Sequence, residues 1–293
     1  MTLGKATAIA HGAATIVNAI ATGAGAAFGV DLWTKAEVEL TSEPNLIQAK
    51  IVSDPSENTL LIERAATRVL EHFKAETQFG AKVTTTSNIP VARGLKSSSV
   101  AANAVALATV AALGKSLDDL AVVNLGVDAA FDARVTVTGA FDDACASFLG
   151  GIVVTDNLKR RLVKHSILPE GLSVLFHVPS KKAYTGDSNV AKLQTVKPLV
   201  DVAYKETLQE NYWTALSLNG LIYSAALGYD CSVAIDALNA GALAAGLCGK
   251  GPAVTTVVSP DAIDHVKTAL ERHTGEVITA GLNHQKAKVM TQQ

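Results

Sequence analysis

Asn88-Ile89-Pro90-Val91-Ala92-Arg93-Gly94-Leu95-Lys96-Ser97-Ser98-Ser99 is the stretch on which the reading turns, because Val100 continues it into a long run of small apolar residues. A strand ends, a loop turns and a helix begins. Residues 100–113 are Ala, Val and Leu, interrupted by Asn103 and Thr109. A helix apolar nearly all round is buried, and its first free N–H groups face back into a loop of glycine, lysine and hydroxyls. The positive helix end, the unpaired amides, Lys96 and three serines form a cradle for a di- or triphosphate, with one serine hydroxyl facing a magnesium ion. The plain alternative is a serine-capped helix. One cap requires one serine, however, and Lys96 beside a positive helix end calls for an anion to offset it.

The loop is neither of two familiar nucleotide signatures. Lys96 is preceded by Leu95 and Pro90 where a Walker loop has its glycines. Gly23-x-Gly25 lacks the third glycine of a dinucleotide-binding turn, since residue 28 is Phe28.

Two further segments fit phosphoryl transfer: Gly139-Ala140-Phe141-Asp142-Asp143-Ala144-Cys145-Ala146-Ser147, and the turn Gly246-Leu247-Cys248-Gly249-Lys250-Gly251-Pro252. A hydroxyl that attacks phosphorus needs a carboxylate within hydrogen-bond reach, and Asp142 and Asp143 offer two. On the residues alone, helix capping explains the pair equally well. The Gly249-x-Gly251-Pro252 turn reads, by itself, as a tight turn before a strand.

The rest of the chain sets the frame. It has 293 residues, 48% hydrophobic and 18% charged, with 25 Lys and Arg against 27 Asp and Glu. That length makes one large domain or two ordinary ones. The near balance of charge gives no broad basic field, which argues against nucleic acid and membrane surfaces as partners and for a small ligand. Cys145, Cys231 and Cys248 are scattered and unpaired in spacing, so a reducing, cytoplasmic setting is expected. Residues 6–30 carry no charge but include four glycines, His11 and Asn18. They read as a buried segment rather than a membrane span.

Alternation predicts strands over 34–41, 81–86 and 135–138. Asn58 is expected to cap a helix with Leu61, Ala65, Val69 and Phe73 on one stripe, and residues 117–133 form another. A domain boundary is placed near residue 155, before the basic run Lys159, Arg160, Arg161 and Lys164. Beyond it we expect a strand at 173–178, a polar loop at 180–189, two helices within 198–227, a helix at 233–239 and a strand at 253–258. A helix capped by Ser259 with Pro260 at its first position should follow, then strands at 277–280 and 287–290.

Taken together, the three segments resemble the GHMP kinase superfamily. Pro90-x-x-x-Gly94-Leu95-x-Ser97-Ser98 looks like its phosphate loop, Gly249-Lys250-Gly251-Pro252 like its glycine-rich third motif, and Ala10-His11-Gly12 through Asn18 like its first. His11 stands where that superfamily usually has proline, and Ala144 follows Asp143 where many members have asparagine or glutamine. Residues 12–23, 94–99 and 138–147, with Leu218-Asn219-Gly220, are similar to the archaeal-type shikimate kinases. The resemblance implies an α+β, two-domain GHMP kinase fold, a ribosomal-protein-like domain over 1–155 and a ferredoxin-like one over 156–293. It implies transfer of the γ-phosphoryl group of ATP to the 3-hydroxyl of shikimate, with ATP and Mg2+ as cofactors. Another small alcohol such as homoserine or mevalonate, or a non-catalytic sensor, are the alternatives.

The resemblance also assigns roles by position. Pro90, Val91, Ala92, Arg93, Gly94, Leu95, Lys96, Ser97, Ser98, Ser99 and Val100, with Gly249 and Gly251, surround the nucleotide. Asp143 with Lys96 would be catalytic, Ser98 and Asp132 would hold magnesium, and Asn18, Thr22, Asp31 and Asp142 would line the substrate pocket. Arg93, Arg134, Lys181 and Lys182 are the cations open to a substrate carboxylate.

Overall fold

The computed structural model describes residues 4–90, 94–167, 169–180 and 190–290. In chain order the elements are β1 (Lys5–Val17), β2 (Ala24–Thr41), β3 (Ile47–Ile51), α1 (Leu60–His72), β4 (Gly80–Ser87), α2 (Ser97–Ala112), α3 (Asp119–Asp132) and α4 (Phe141–Leu149). They continue as β5 (Ile152–Asp156), β6 (Arg161–Ser166), β7 (Ser173–Val178), α5 (Val190–Thr195), α6 (Lys197–Leu208), α7 (Tyr212–Leu227) and α8 (Ser232–Asn239). The chain closes with β8 (Ala244–Leu247), β9 (Val254–Val258), α9 (Ile263–Glu271), β10 (Glu276–Gly281) and β11 (Lys288–Met290).

Two sheets organise these elements. The first runs β11-β1-β2-β4-β3, with β5 on the early part of β2 and β6 on β5; only the β3–β4 pair is parallel within it. The uncharged segment 6–30 is the paired strands β1 and β2. Their alanines leave a shallow surface on which α2 and α4 settle closely. The second sheet, β10-β7-β9-β8, is antiparallel and carries α7, α8 and α9. One apolar cluster links the layers, running from Ala8, Ile16 and Phe28 through Val105 and Phe148 to Phe176, Leu216 and Tyr223. Among the described residues no helix is long and apolar enough to cross a membrane.

Several expectations are met closely, including the strand at Ser173–Val178, the two helices α6 and α7, and α8. Others differ for local reasons. Residues 135–138 form no strand: Arg134 takes a left-handed φ of 55°, the Val135 N–H closes back on the Ala130 carbonyl at 3.1 Å, and the chain leaves α3 as a loop. The helix expected at Ser259 starts at Ile263, since Ala262 N–H bonds the Ser259 carbonyl in a turn first. Helix α1 has Thr59, not Asn58, at its N-cap; Asn58 stands one residue earlier, where its Oδ1 accepts from Leu60 N–H at 2.7 Å. The boundary expected near residue 155 falls inside β5, because the β5–β6 hairpin and β11 extend the first sheet. Of the polar loop expected at 180–189, residues 181–189 lie outside the described residues.

Candidate active site

Two helix N-termini meet at a cleft of about 150 Å3. Ser97, Ser98 and Ser99 form the first turn of α2, half-buried, with Lys96 at the N-cap in a left-handed conformation, φ 62°. That conformation turns the Lys96 side chain across to α4, whose first turn carries Asp142 and Asp143. Lys96 Nζ lies 2.9 Å from Asp143 Oδ2, with side-chain exposures of only 13% and 6%. Thr15 Oγ1, from β1, reaches Asp143 Oδ1 at 3.4 Å. Burial alone would lower the Lys96 ammonium, but Asp143, Cys248 and Asp142 together raise it above its usual value. It is a firmly charged lysine.

Asp142 is held differently. Asn157 Nδ2 donates to its Oδ1 at 2.8 Å, and Thr155 Oγ1 in turn donates to Asn157 Oδ1 at 2.6 Å. Burial, then the neighbouring Asp143 charge, push Asp142 up to about 7. The two adjacent carboxyls therefore divide into one paired with a cation and one held near neutrality by its surroundings.

The turn between β8 and β9 closes the cleft from the second sheet. Gly249 has φ 63°, and a Cβ there would sit 2.3 Å from Lys96 Nζ. Gly94 has φ 89°, and a Cβ there would meet the carbonyls of Cys248 and Gly251 at 3.0 Å. The phosphate-type loop and the third motif thus touch backbone to backbone, which side chains at either glycine would prevent. Lys250 and Gly251 line the cleft. The Lys250 ammonium is buried and without a hydrogen-bond partner, and burial followed by the Lys96 charge lower it to about 8.

Asn18 lines the cleft where β1 ends. Its N–H donates to Asn219 Oδ1 at 3.1 Å and its carbonyl accepts from Tyr223 Oη at 3.0 Å, so α7 fixes this corner. A second, more apolar cavity of about 280 Å3 lies beyond Ser97 and Ser98, walled by Ile51, Leu61, Ile62, Ala101 and Val135.

Of the residues expected at the site, Gly94, Lys96, Ser97, Ser98, Ser99, Asp142, Asp143, Gly251 and Asn18 come together around the cleft. Gly249 abuts Lys96. Leu95 and Val100 are buried in the core beneath the loop, and Pro90 is half-buried just before it. Val91, Ala92, Arg93, Lys181 and Lys182 lie outside the described residues. Three expected residues are placed elsewhere. Thr22 is tied into its own turn through Ala24. Asp31 Oδ1 accepts from Gly281 N–H at 2.7 Å, joining β2 to β10. Asp132 accepts from Arg68 on both carboxylate oxygens, each at 2.6 Å, and this pair ties α3 to α1. Arg134 is exposed and does not line the cleft.

The sequence reading missed Thr15, Asn157, Lys250 and the 135–138 loop. A lysine between two glycines, next to buried strands, was the signal for Lys250. Nothing local marks Asn157, which lies fifteen residues from its partner. Among the described residues no group of three or more His, Cys, Asp or Glu forms a metal cluster.

Residues 61–151 match the family model described as the GHMP kinases N terminal domain. The chain is 45% identical over 282 residues to a shikimate kinase of Methanosarcina mazei, covering 96% of this chain and 95% of that protein. It is 39% identical over 291 residues to a shikimate kinase of Methanothermobacter thermautotrophicus, with 98% of each covered. Among solved structures, homoserine kinase from Cytophaga hutchinsonii superposes with a TM-score of 0.73 at 18% identity, over 98% of this chain and 97% of that one. Methanococcus jannaschii mevalonate kinase gives 0.75 at 15% identity, over 94% and 98%. These two likenesses bear on the fold alone, which is the two-domain GHMP kinase fold. At this identity and near-complete coverage of the curated relatives, the chain belongs to the GHMP-type shikimate kinases.

Proposed function

We propose that this protein transfers the γ-phosphoryl group of ATP to the 3-hydroxyl of shikimate, giving shikimate 3-phosphate and ADP. The observation that carries the reading is the Lys96–Asp143 pair, 2.9 Å apart at the meeting of two helix N-termini. Phosphoryl transfer depends on positioning and charge neutralisation more than on covalent chemistry. The first-turn amides of α2, the serine hydroxyls and Lys96 receive phosphate oxygens, and the apolar cavity beyond Ser97 and Ser98 has the size and surface for an adenine ring. Asp143 orients the acceptor hydroxyl and takes its proton, while Lys96 fixes the carboxylate and faces the charge on the transferred group.

The residues present suit a nucleotide-borne magnesium. An unpaired buried ammonium, a helix end and half-buried serines form an anion cradle, and magnesium characteristically keeps phosphate and water ligands, with few from protein. Ser98, with Asp142 and Asp143 nearby, would hold it. When bound, it neutralises phosphate charge. Asp132 has Arg68 on both of its oxygens and stands outside this set. Use of ATP and three free thiols support a cytoplasmic setting.

The test is ADP release from Mg-ATP with shikimate, homoserine or mevalonate as acceptor and a control without acceptor, the product then located by phosphorus NMR. Shikimate-dependent release with phosphate on the 3-oxygen is expected. Release with either other alcohol and none with shikimate would overturn the reading.

A further inference from the structure

Lys250 stands apart from the other charges of the cleft. Its ammonium nitrogen is buried and unpartnered, although the side chain lines the same space as Lys96, Ser98 and Asp143. Lys96 already has Asp143 as its counter-charge, and Asp142 accepts from Asn157. Among the described residues that line the cleft, Lys96 and Lys250 are the cations, and Lys250 is the one without a partner. Burying an ammonium with nothing opposite it is unfavourable. A neutral side chain in this turn would avoid that penalty, so the charge calls for a use.

We infer that Lys250 is a ligand-binding cation of this cleft, its ammonium pairing with an anionic oxygen of a bound substrate, either a nucleotide phosphate or the acceptor's carboxylate. The choice of anions rests on the kinase reading above. The position suits both sources. The turn bearing Lys250 touches the phosphate-type loop at Gly94 and the Lys96 side chain at Gly249, yet it belongs to the second sheet, whereas the serines come from α2. The turn that carries Lys250 is closed by its own backbone, with Cys248 N–H on the Ala253 carbonyl at 2.8 Å and Gly251 N–H on the Cys248 carbonyl at 2.9 Å. The cation is held ready.

Burial and the Lys96 charge leave Lys250 at about 8 in the free protein. The other titratable groups nearby are Lys96, Asp142, Asp143, Cys248 and, against Gly251, Tyr229. An anion docking on Lys250 raises its affinity for a proton, so binding above about pH 8 takes one up.

Isothermal titration at about pH 8.5, in two buffers of different ionisation enthalpy, reads this uptake directly. The probes are Mg-AMP-PNP and shikimate, each alone, and shikimate into nucleotide-saturated protein. Uptake with the nucleotide assigns Lys250 to phosphate, and uptake with shikimate assigns it to the carboxylate. In Lys250→Met the uptake should vanish and KM for the same ligand rise about ten-fold, with kcat changed less. Lys250→Arg should recover the affinity without uptake, because its guanidinium stays charged. Lys250→Met should also melt no lower than the native protein, as it removes an unpaired buried charge. Unchanged uptake and both KM values unchanged in Lys250→Met, or a lower melting temperature, would overturn the inference. If the native protein binds nucleotide but does not phosphorylate shikimate, the kinase assignment fails while the nucleotide arm still tests Lys250.

Discussion

Asp143 meets Lys96 on one oxygen and Thr15 on the other, so its replacement separates chemistry from binding. Asp143→Asn keeps the shape of the first turn of α4 but can no longer take the hydroxyl proton. Turnover should fall by about 10²–10⁴-fold while ATP affinity stays within a few-fold; unchanged turnover would remove Asp143 from the mechanism. Asp142 carries a different prediction. Its carboxyl is pushed to about 7 by burial and by Asp143, against about 4 in an unfolded chain. The stability it contributes is complete below about pH 4 and is lost as pH rises through about 7. Asp142→Asn removes that loss, so its melting temperature should exceed the native value at about pH 8 and approach it near pH 4. Parallel melting curves across that range would contradict the assignment. The sequence showed that these two aspartates sit together, but not that they differ. The difference comes from burial, which with the Asp143 charge pushes Asp142 up against the opposing Asn157 hydrogen bond, and from Lys96 lying against Asp143; only the fold brings these about.

Helix α7 shows how elements set the site from a distance. It supplies Asn219 and Tyr223 to the end of β1, and it can do so because it lies directly on β8. A Cβ on Gly220 would stand 2.3 Å from the Cα of Gly246, and backbone cannot yield as a side chain does. Gly220→Ala should therefore destabilise the protein by about 3 kcal/mol, measured by chemical denaturation, and raise KM through the displaced Asn18 corner; a loss well under half that size would show that the helix can lift freely. Helices with one wet face were legible in advance, such as α6 and α8. The strands β1 and early β2 were not, because nearly every residue from Ala10 to Val17 and from Gly25 to Val30 is buried on both faces and no alternation survives. The apolar alternation at residues 135–138 misled for the opposite reason: a left-handed Arg134 ends α3 and turns those residues toward the cleft.

At the scale of the molecule, the cleft is assembled from both sheets. β1, α2 and α4 belong to the first, and the Gly249–Gly251 turn to the second. The resemblance in three motifs anticipated that convergence, whereas β11 returning to β1 across nearly the whole chain left no local trace. Since one apolar cluster spans the two layers, calorimetry should show a single cooperative unfolding transition; two resolved transitions would mean that the sheets fold independently. The measurement that bears most directly on the central claim is ADP release from Mg-ATP with shikimate, run side by side on the native protein and Asp143→Asn. Acceptor-dependent release that yields the 3-phosphate and collapses in the variant is the predicted result. Equal release by both proteins, or none with shikimate from a native protein shown to bind ATP, would contradict it.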